Sequence, residues 1–166
     1  MRIRSHLAAL CVAALAAHAG AQASGVTGDA NAVQSSAAGT AGPWIDLGGG
    51  LAGATGIPDL VGSGPLSPGT PGSLKLIDGA PSAPCMVYFS LLAVDVPFKG
   101  GTLSAFPPIG TFLFVTNPTG GILLPWSAWP GTLPAGLEMY FQIAVADSGA
   151  IKGVAITNLL EGITQP

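Results

Sequence analysis

The 166-residue sequence contains few of the side chains on which catalytic chemistry usually depends. It has two histidines, His6 and His18, and two cysteines, Cys11 and Cys85. If residues 1–23 are removed on export, the remaining chain has no histidine, no arginine and a single cysteine. Such a chain can build neither a Ser-His-Asp nor a Cys-His arrangement, and no zinc or copper site based on histidine or paired cysteines.

The N-terminal segment predicts export. Arg2 and Arg4 precede an apolar run over residues 7–17, and small-residue cleavage motifs follow, which is the order of a signal peptide. We prefer cleavage after Ala23, with cleavage after Ala19 as the alternative. The run is shorter than the roughly 20 apolar residues that cross a bilayer. We therefore expect a secreted or cell-envelope protein whose mature form has no membrane span.

The mature chain would also lack positive charge. Three lysines (Lys75, Lys99 and Lys152) stand against eight acidic residues, so its net charge is −5. This sign, with no basic cluster to offset it, excludes a nucleic-acid-binding surface. Cys85 opens an apolar run and has no partner for a disulfide, so we expect a buried, inert thiol.

Glycine and proline are abundant, with 25 and 15 residues, and separate short apolar runs. Residues 24–42 have few large apolar side chains and predict a flexible leader, whereas residues 43–166 predict one domain. The clearest run alternates Leu137, Met139, Phe141, Ile143 and Val145 with more polar residues, which predicts a strand with one buried and one solvent-exposed face.

Similar runs recur along the domain with turn signals between them. We therefore predict an all-β fold, a single β-sandwich of the immunoglobulin or fibronectin III type with about seven to eight short antiparallel strands. The predicted strands cover residues 57–61, 73–78, 85–96, 102–106, 111–115, 122–126, 137–145 and 151–160.

Several strings of the domain resemble, in order and spacing, one module of a known family. They are DLGGGLAGATGIPDLVGSGPLSPGTPGSLKL, PFKGGTL, WPGTLPAGLEMYFQIAVAD and GVAITNLL. The family comprises uncharacterised secreted bacterial proteins, abundant in planctomycete-type lineages, in which the module often lies at the C-terminus of larger extracellular proteins. The resemblance covers roughly residues 44–165. No catalytic residues are attributed to the family, so the resemblance implies none here.

Carboxylates are the remaining candidates for chemistry. Glu138 lies on the predicted exposed strand face beside Tyr140 and Gln142, and a glycosidase would need a second carboxyl group facing it. An ordinary solvated strand face is the simpler interpretation. Four aspartates adjoin turns without a calcium-loop motif, which leaves calcium binding open: Asp59, Asp78, Asp95 and Asp147. We predict no catalytic residue, no cofactor and no metal site.

Two tryptophans three residues apart, in WSAWPGTLPAG, allow two interpretations. Trp126, Trp129 and Tyr140 would form a flat platform that stacks on sugar rings, or the tryptophans would close the open end of the core. The turn that follows, with Pro130 and Gly131, favours the core for Trp129. For Trp126 the two interpretations are balanced.

The sequence thus predicts a secreted, non-catalytic β-sandwich module with a structural or adhesive role at the cell envelope or outside the cell. It would act through its surface, including an exposed sheet edge that pairs with a neighbour. The alternative is a carbohydrate-binding module that uses surface aromatics. Other envelope proteins and extracellular polysaccharide are the candidate partners.

Overall fold

The computed structural model describes residues 42–166, which form eleven strands and no helix. No helix in this range is therefore long and apolar enough to cross a membrane. The predicted signal peptide and all but the last residue of the predicted leader lie outside the described residues. The strands are β1 (Trp44–Asp46), β2 (Asp59–Ser63), β3 (Gly72–Ile77), β4 (Pro84–Ser90), β5 (Val96–Phe98), β6 (Gly101–Leu103), β7 (Gly110–Val115), β8 (Ile122–Trp126), β9 (Glu138–Ala146), β10 (Val154–Ile156) and β11 (Leu160–Ile163).

These strands form three antiparallel sheets, which confirms the all-β prediction. The largest sheet has the order β1-β11-β9-β4-β7, and β10 pairs with the C-terminal part of β9. The second sheet has the order β2-β3-β8, and the third is the β5–β6 hairpin. Strand β7 therefore ends the largest sheet on one side, with β4 as its neighbour.

The largest sheet and the three-stranded sheet bury their apolar side chains in one cluster. The odd-numbered residues of β9 lie in it, as their alternation predicts, and so do Leu74 and Leu76 on either side of exposed Lys75. Burying each such side chain stabilises the fold by about 1.5–3 kcal/mol. The cluster comprises Leu60, Leu66, Leu74, Leu76, Ala83, Cys85, Val87, Phe89, Leu124, Trp126, Trp129, Leu133, Met139, Phe141, Ile143, Val145 and Leu160.

The opposite face of β9 is not uniformly exposed, contrary to the prediction. Gln142 is only 1% exposed, and Ala144 is also buried. The chain just after the β5–β6 hairpin contacts Gln142, whose Oε1 accepts a hydrogen bond from the backbone N–H of Ser104 (2.8 Å). On another side, Gln142 Nε2 donates to Thr157 O (3.1 Å). Alternation along one strand identifies its two faces but does not reveal which distant segment will cover them.

The structure has eleven strands where the sequence predicted seven or eight. Four of them (β1, β5, β6 and β10) have three residues each, too few to carry a recognisable period. The predicted strand over residues 85–96 ends at Ser90, whose hydroxyl accepts from Leu92 N (3.0 Å) and donates to Pro107 O (2.9 Å). These bonds turn the chain out of the sheet.

The predicted last strand, residues 151–160, is divided into β10 and β11. Between them, Thr157 Oγ1 accepts the Ile143 N–H (2.9 Å), which a backbone carbonyl would accept in a regular ladder. The next side chain, Asn158, turns toward β2 and bonds both backbone groups of Leu60. The interruption thus connects the largest sheet to the three-stranded sheet.

Candidate functional site

The two tryptophans of the predicted platform lie inside the protein. Trp126 is 3% exposed and Trp129 6% exposed, and their ring centroids lie 5.1 Å apart. Trp44 continues the cluster 6.2 Å from Trp126. Tyr140 belongs to the other side of the largest sheet, because its neighbours Met139 and Phe141 point into the core. The predicted platform is therefore corrected to a buried tryptophan pair and a separate tyrosine.

Local sequence explains this burial. Leu124 and Trp126 share the inner face of β8, and Gly72 lies opposite Trp126 in the neighbouring strand. Because Gly72 has no side chain, the indole ring can lie directly against the β3 backbone. Trp129 is held by two backbone hydrogen bonds of 2.8 Å, to Thr70 O and from Gly69 N. The turn after β8 thus closes one end of the core.

The tryptophans differ in how their indole N–H groups are satisfied. Trp44 Nε1 donates to Gly64 O at 2.9 Å. The Nε1 atoms of Trp126 and Trp129 are buried without a hydrogen-bond partner. Leaving a donor buried and unpaired costs about 1–3 kcal/mol, so the pair contributes through its apolar area and not through polar recognition.

A second cluster contains the predicted carboxylate, Glu138, and its neighbour Tyr140. The Tyr140 hydroxyl donates to Glu138 Oε2 (3.0 Å) and lies 3.3 Å from Glu161 Oε1. Glu161 is opposite Tyr140 in the β9–β11 register and was not predicted from the sequence. Gln142, which the sequence placed beside Glu138 and Tyr140 on the exposed face, is not part of this cluster. It is buried and bonded to Ser104, just after the β5–β6 hairpin.

The surroundings of Tyr140 keep its phenol protonated, so that its hydroxyl acts as a hydrogen-bond donor. Burial, followed by the hydrogen bond to Glu138 and the negative charge of both carboxylates, raises the pKa of Tyr140. The phenol thus keeps its proton at neutral pH. Its oxygen lies within hydrogen-bond distance of both carboxylates, so the three side chains form one connected polar group.

Other chemically active side chains are already engaged in holding the fold. Asp147 Oδ2 accepts from Ala54 N (2.9 Å), and its Oδ1 accepts from Gly149 N (2.8 Å), which closes the turn after β9. Cys85 is buried, as predicted, and burial raises the pKa of its thiol to about 11. Within residues 42–166, no three His, Cys, Asp or Glu side chains come close enough to hold a metal ion.

The most unusual surface feature is the free side of β7. Leu113 and Val115 are 71% and 64% exposed, on a strand with a single strand neighbour. The chain from Gly100 to Leu137, which includes β7 and both its flanking loops, contains no charged residue. The sequence predicted the strand, but its position at the end of the sheet depends on the topology of the whole domain.

Both edges of the three-stranded sheet are occupied or blunted. At the edge of β2, the Asn158 amide bonds Leu60 N (2.7 Å) and Leu60 O (3.1 Å) and so takes the place of a further strand. Strand β8 contains Pro125, which has no N–H to donate. Natural proteins protect edge strands with charges, proline or covering segments. Strand β7 has no charge and no proline, and we name its free edge, with Thr111, Leu113 and Val115, the β7 edge.

No protein-family model matches the chain, and no curated protein or solved structure matches it.

Proposed function

We propose that the chain is an exported, non-catalytic β-sandwich module with a structural or adhesive role at the cell envelope or outside the cell. The observation that carries this proposal is the β7 edge, an uncharged strand edge with two strongly exposed apolar side chains. An edge of this kind is a template for pairing with another strand. We therefore favour a protein partner over polysaccharide.

The sandwich part of the proposal is supported by the packing of the two larger sheets. Seventeen buried residues drawn from both sheets and their connections belong to one cluster. Two antiparallel sheets that share one core in this way are the basis of immunoglobulin-like and fibronectin III-like domains. A place among those domains is part of the proposal.

The non-catalytic part of the proposal is supported by the hydrogen bonds that the polar side chains already make within the domain. Asp147, Gln142 and Asn158 bind backbone groups of distant segments, and each bond holds two parts of the domain together. The Tyr140 hydroxyl donates to Glu138 and lies 3.3 Å from Glu161. These groups are already used for stability.

The proposal is tested by expressing the chain with its own N-terminal segment in a bacterium and following it by fractionation. We expect it in the envelope or the medium, with Ser24 as its first residue in a mass spectrum of the N-terminal peptide. A chain that stays in the cytoplasm and begins at Met1 would contradict export.

The adhesive role is tested by comparing two single substitutions in the same fractionation. Leu113→Lys places a charge on the β7 edge, and Leu123→Lys places the same charge at another exposed leucine, on β8. We expect the first variant to shift from the envelope to the medium and the second to remain as wild type. Equal retention of both variants would contradict a role for this edge.

A further inference from the structure

The backbone of β7 has a row of hydrogen-bonding groups that face away from the sheet. Thr116 N donates to Ala83 O (2.9 Å) just beyond the end of the strand, which fixes which residues face β4. Because the direction of the backbone groups alternates along an antiparallel strand, the N–H and C=O groups of Thr111, Leu113 and Val115 point to the free side. The same three side chains lie on the exposed face.

We infer that the partner of this edge is a second copy of the chain, paired antiparallel across a twofold axis at Leu113. In this register Leu113 faces its counterpart, and Thr111 of each copy faces Val115 of the other. The outward-facing donors and acceptors of both strands then match, which gives an isologous interface and one continuous sheet. The inference rests on the proposed function, since it names the partner of the same edge.

The side chains fit this register. Leu113 and Val115 of both copies would share one face of the joined sheet and cover one another. On the other face, Phe112 would lie opposite Phe114 of the second copy. Both phenylalanines pack on the core and remain only half-buried in the single chain. Pairing thus buries apolar surface on both faces of the strand.

Charge also favours a second copy. The chain is net negative, so two copies repel each other at long range. The β7 edge lies in the stretch from Gly100 to Leu137 that carries no charge, so two paired β7 strands bring no like charges together.

The N-terminal segment is the competing occupant, and it fits less well. The described chain enters at β1, at the opposite end of the same sheet, four strand spacings or about 19 Å from β7. Residues 24–41 consist mostly of alanine, glycine, serine and other small residues. They would place no large apolar side chain against Leu113.

The test is the mass of the chain from Ser24 onward, measured by sedimentation velocity between about 5 and 500 µM. We expect the wild type to approach twice the monomer mass as concentration rises, because a single six-residue strand gives a weak, concentration-dependent contact. Leu113→Lys should remain a monomer, since the axis places two ammonium groups face to face. The Leu123→Lys control should dimerise like the wild type.

The register is tested by mixing opposite charges. Leu113→Lys and Leu113→Glu should each be monomeric alone and should form a mixed dimer when combined, because residue 113 faces itself only across the inferred axis. Circular dichroism and thermal unfolding should show both variants folded, since this side chain is 71% exposed.

Two results would overturn the inference. One is a wild type that stays monomeric at 500 µM, and the other is a Leu113→Lys variant that dimerises as well as wild type. Neither result bears on export. If the wild type is monomeric and Leu113→Lys is nevertheless released from the envelope, the adhesive function holds with a different protein as partner.

Discussion

Asn158 joins the two larger sheets, and its removal should be among the most damaging single changes in the domain. Its amide bonds both backbone groups of Leu60, at 2.7 and 3.1 Å, and its Nδ2 also donates to Asp46 Oδ1 at 2.9 Å. Asn158→Ala would leave the N–H and C=O of Leu60 without partners in a buried position. At about 1–3 kcal/mol for each of these two orphaned groups, we expect a loss of about 2–6 kcal/mol.

The loss is measured by urea unfolding of the mature chain, followed by the fluorescence of its buried tryptophans. A domain of this size has a total stability of about 5–15 kcal/mol, so the shift in midpoint should be large at an unchanged slope. The control is Gln165→Ala, which removes an amide that bonds locally to Ile163 O. If Asn158→Ala costs no more than this control, the amide does not connect the sheets in the way described.

Three further predictions concern packing and ionisation. Gly72→Ala should destabilise the domain by about 1–3 kcal/mol in urea unfolding, because its Cβ overlaps the Trp126 ring. Gly131→Ala, whose Cβ finds its nearest atom at 3.6 Å, should be nearly neutral, and equal losses would contradict this account. Burial raises the pKa of Cys85 from 9.0 to about 11, so the unfolded chain loses the proton first and stability should fall as pH rises through this interval. The stability of the Cys85→Ala variant should fall less steeply over this pH range. An identical pH dependence of the two proteins would refute the role of the Cys85 thiol. Tyr140→Phe should cost about 1 kcal/mol in urea unfolding, because the hydroxyl that donates to Glu138 and lies 3.3 Å from Glu161 is removed; an unchanged midpoint would contradict this.

The alternation of apolar and polar residues along the sequence predicted the core-facing residues of β3 and β9. The odd-numbered residues of β9 and the inner residues of β3 were identified because a period of two follows directly from strand geometry. The same rule could have placed Trp126 in the core, since it is two residues from Leu124 on the same strand face. The tryptophan spacing alone did not distinguish an exposed pair from a buried one.

Other features depend on contacts between distant segments. Gln142 is buried because the chain around Ser104 lies over it, and nothing in the local pattern of β9 reports this. Glu161 meets Tyr140 through the register of β9 and β11, although a single acidic residue in the apolar run of β11 was a visible signal. The exposure of Leu113 follows from the order of strands in the sheet, which is a property of the whole domain.

Amide hydrogen exchange along β7 distinguishes a free strand edge from one that is paired with a second copy. At low concentration the N–H groups of Phe112 and Phe114, which face β4, should exchange slowly, and those of Leu113 and Val115 should exchange fast. Raising the concentration should protect Leu113 and Val115 in the wild type but not in the Leu113→Lys variant. Protection of all four at low concentration would mean that the edge is already covered, and fast exchange of Leu113 and Val115 at every concentration would mean that no second copy pairs with it.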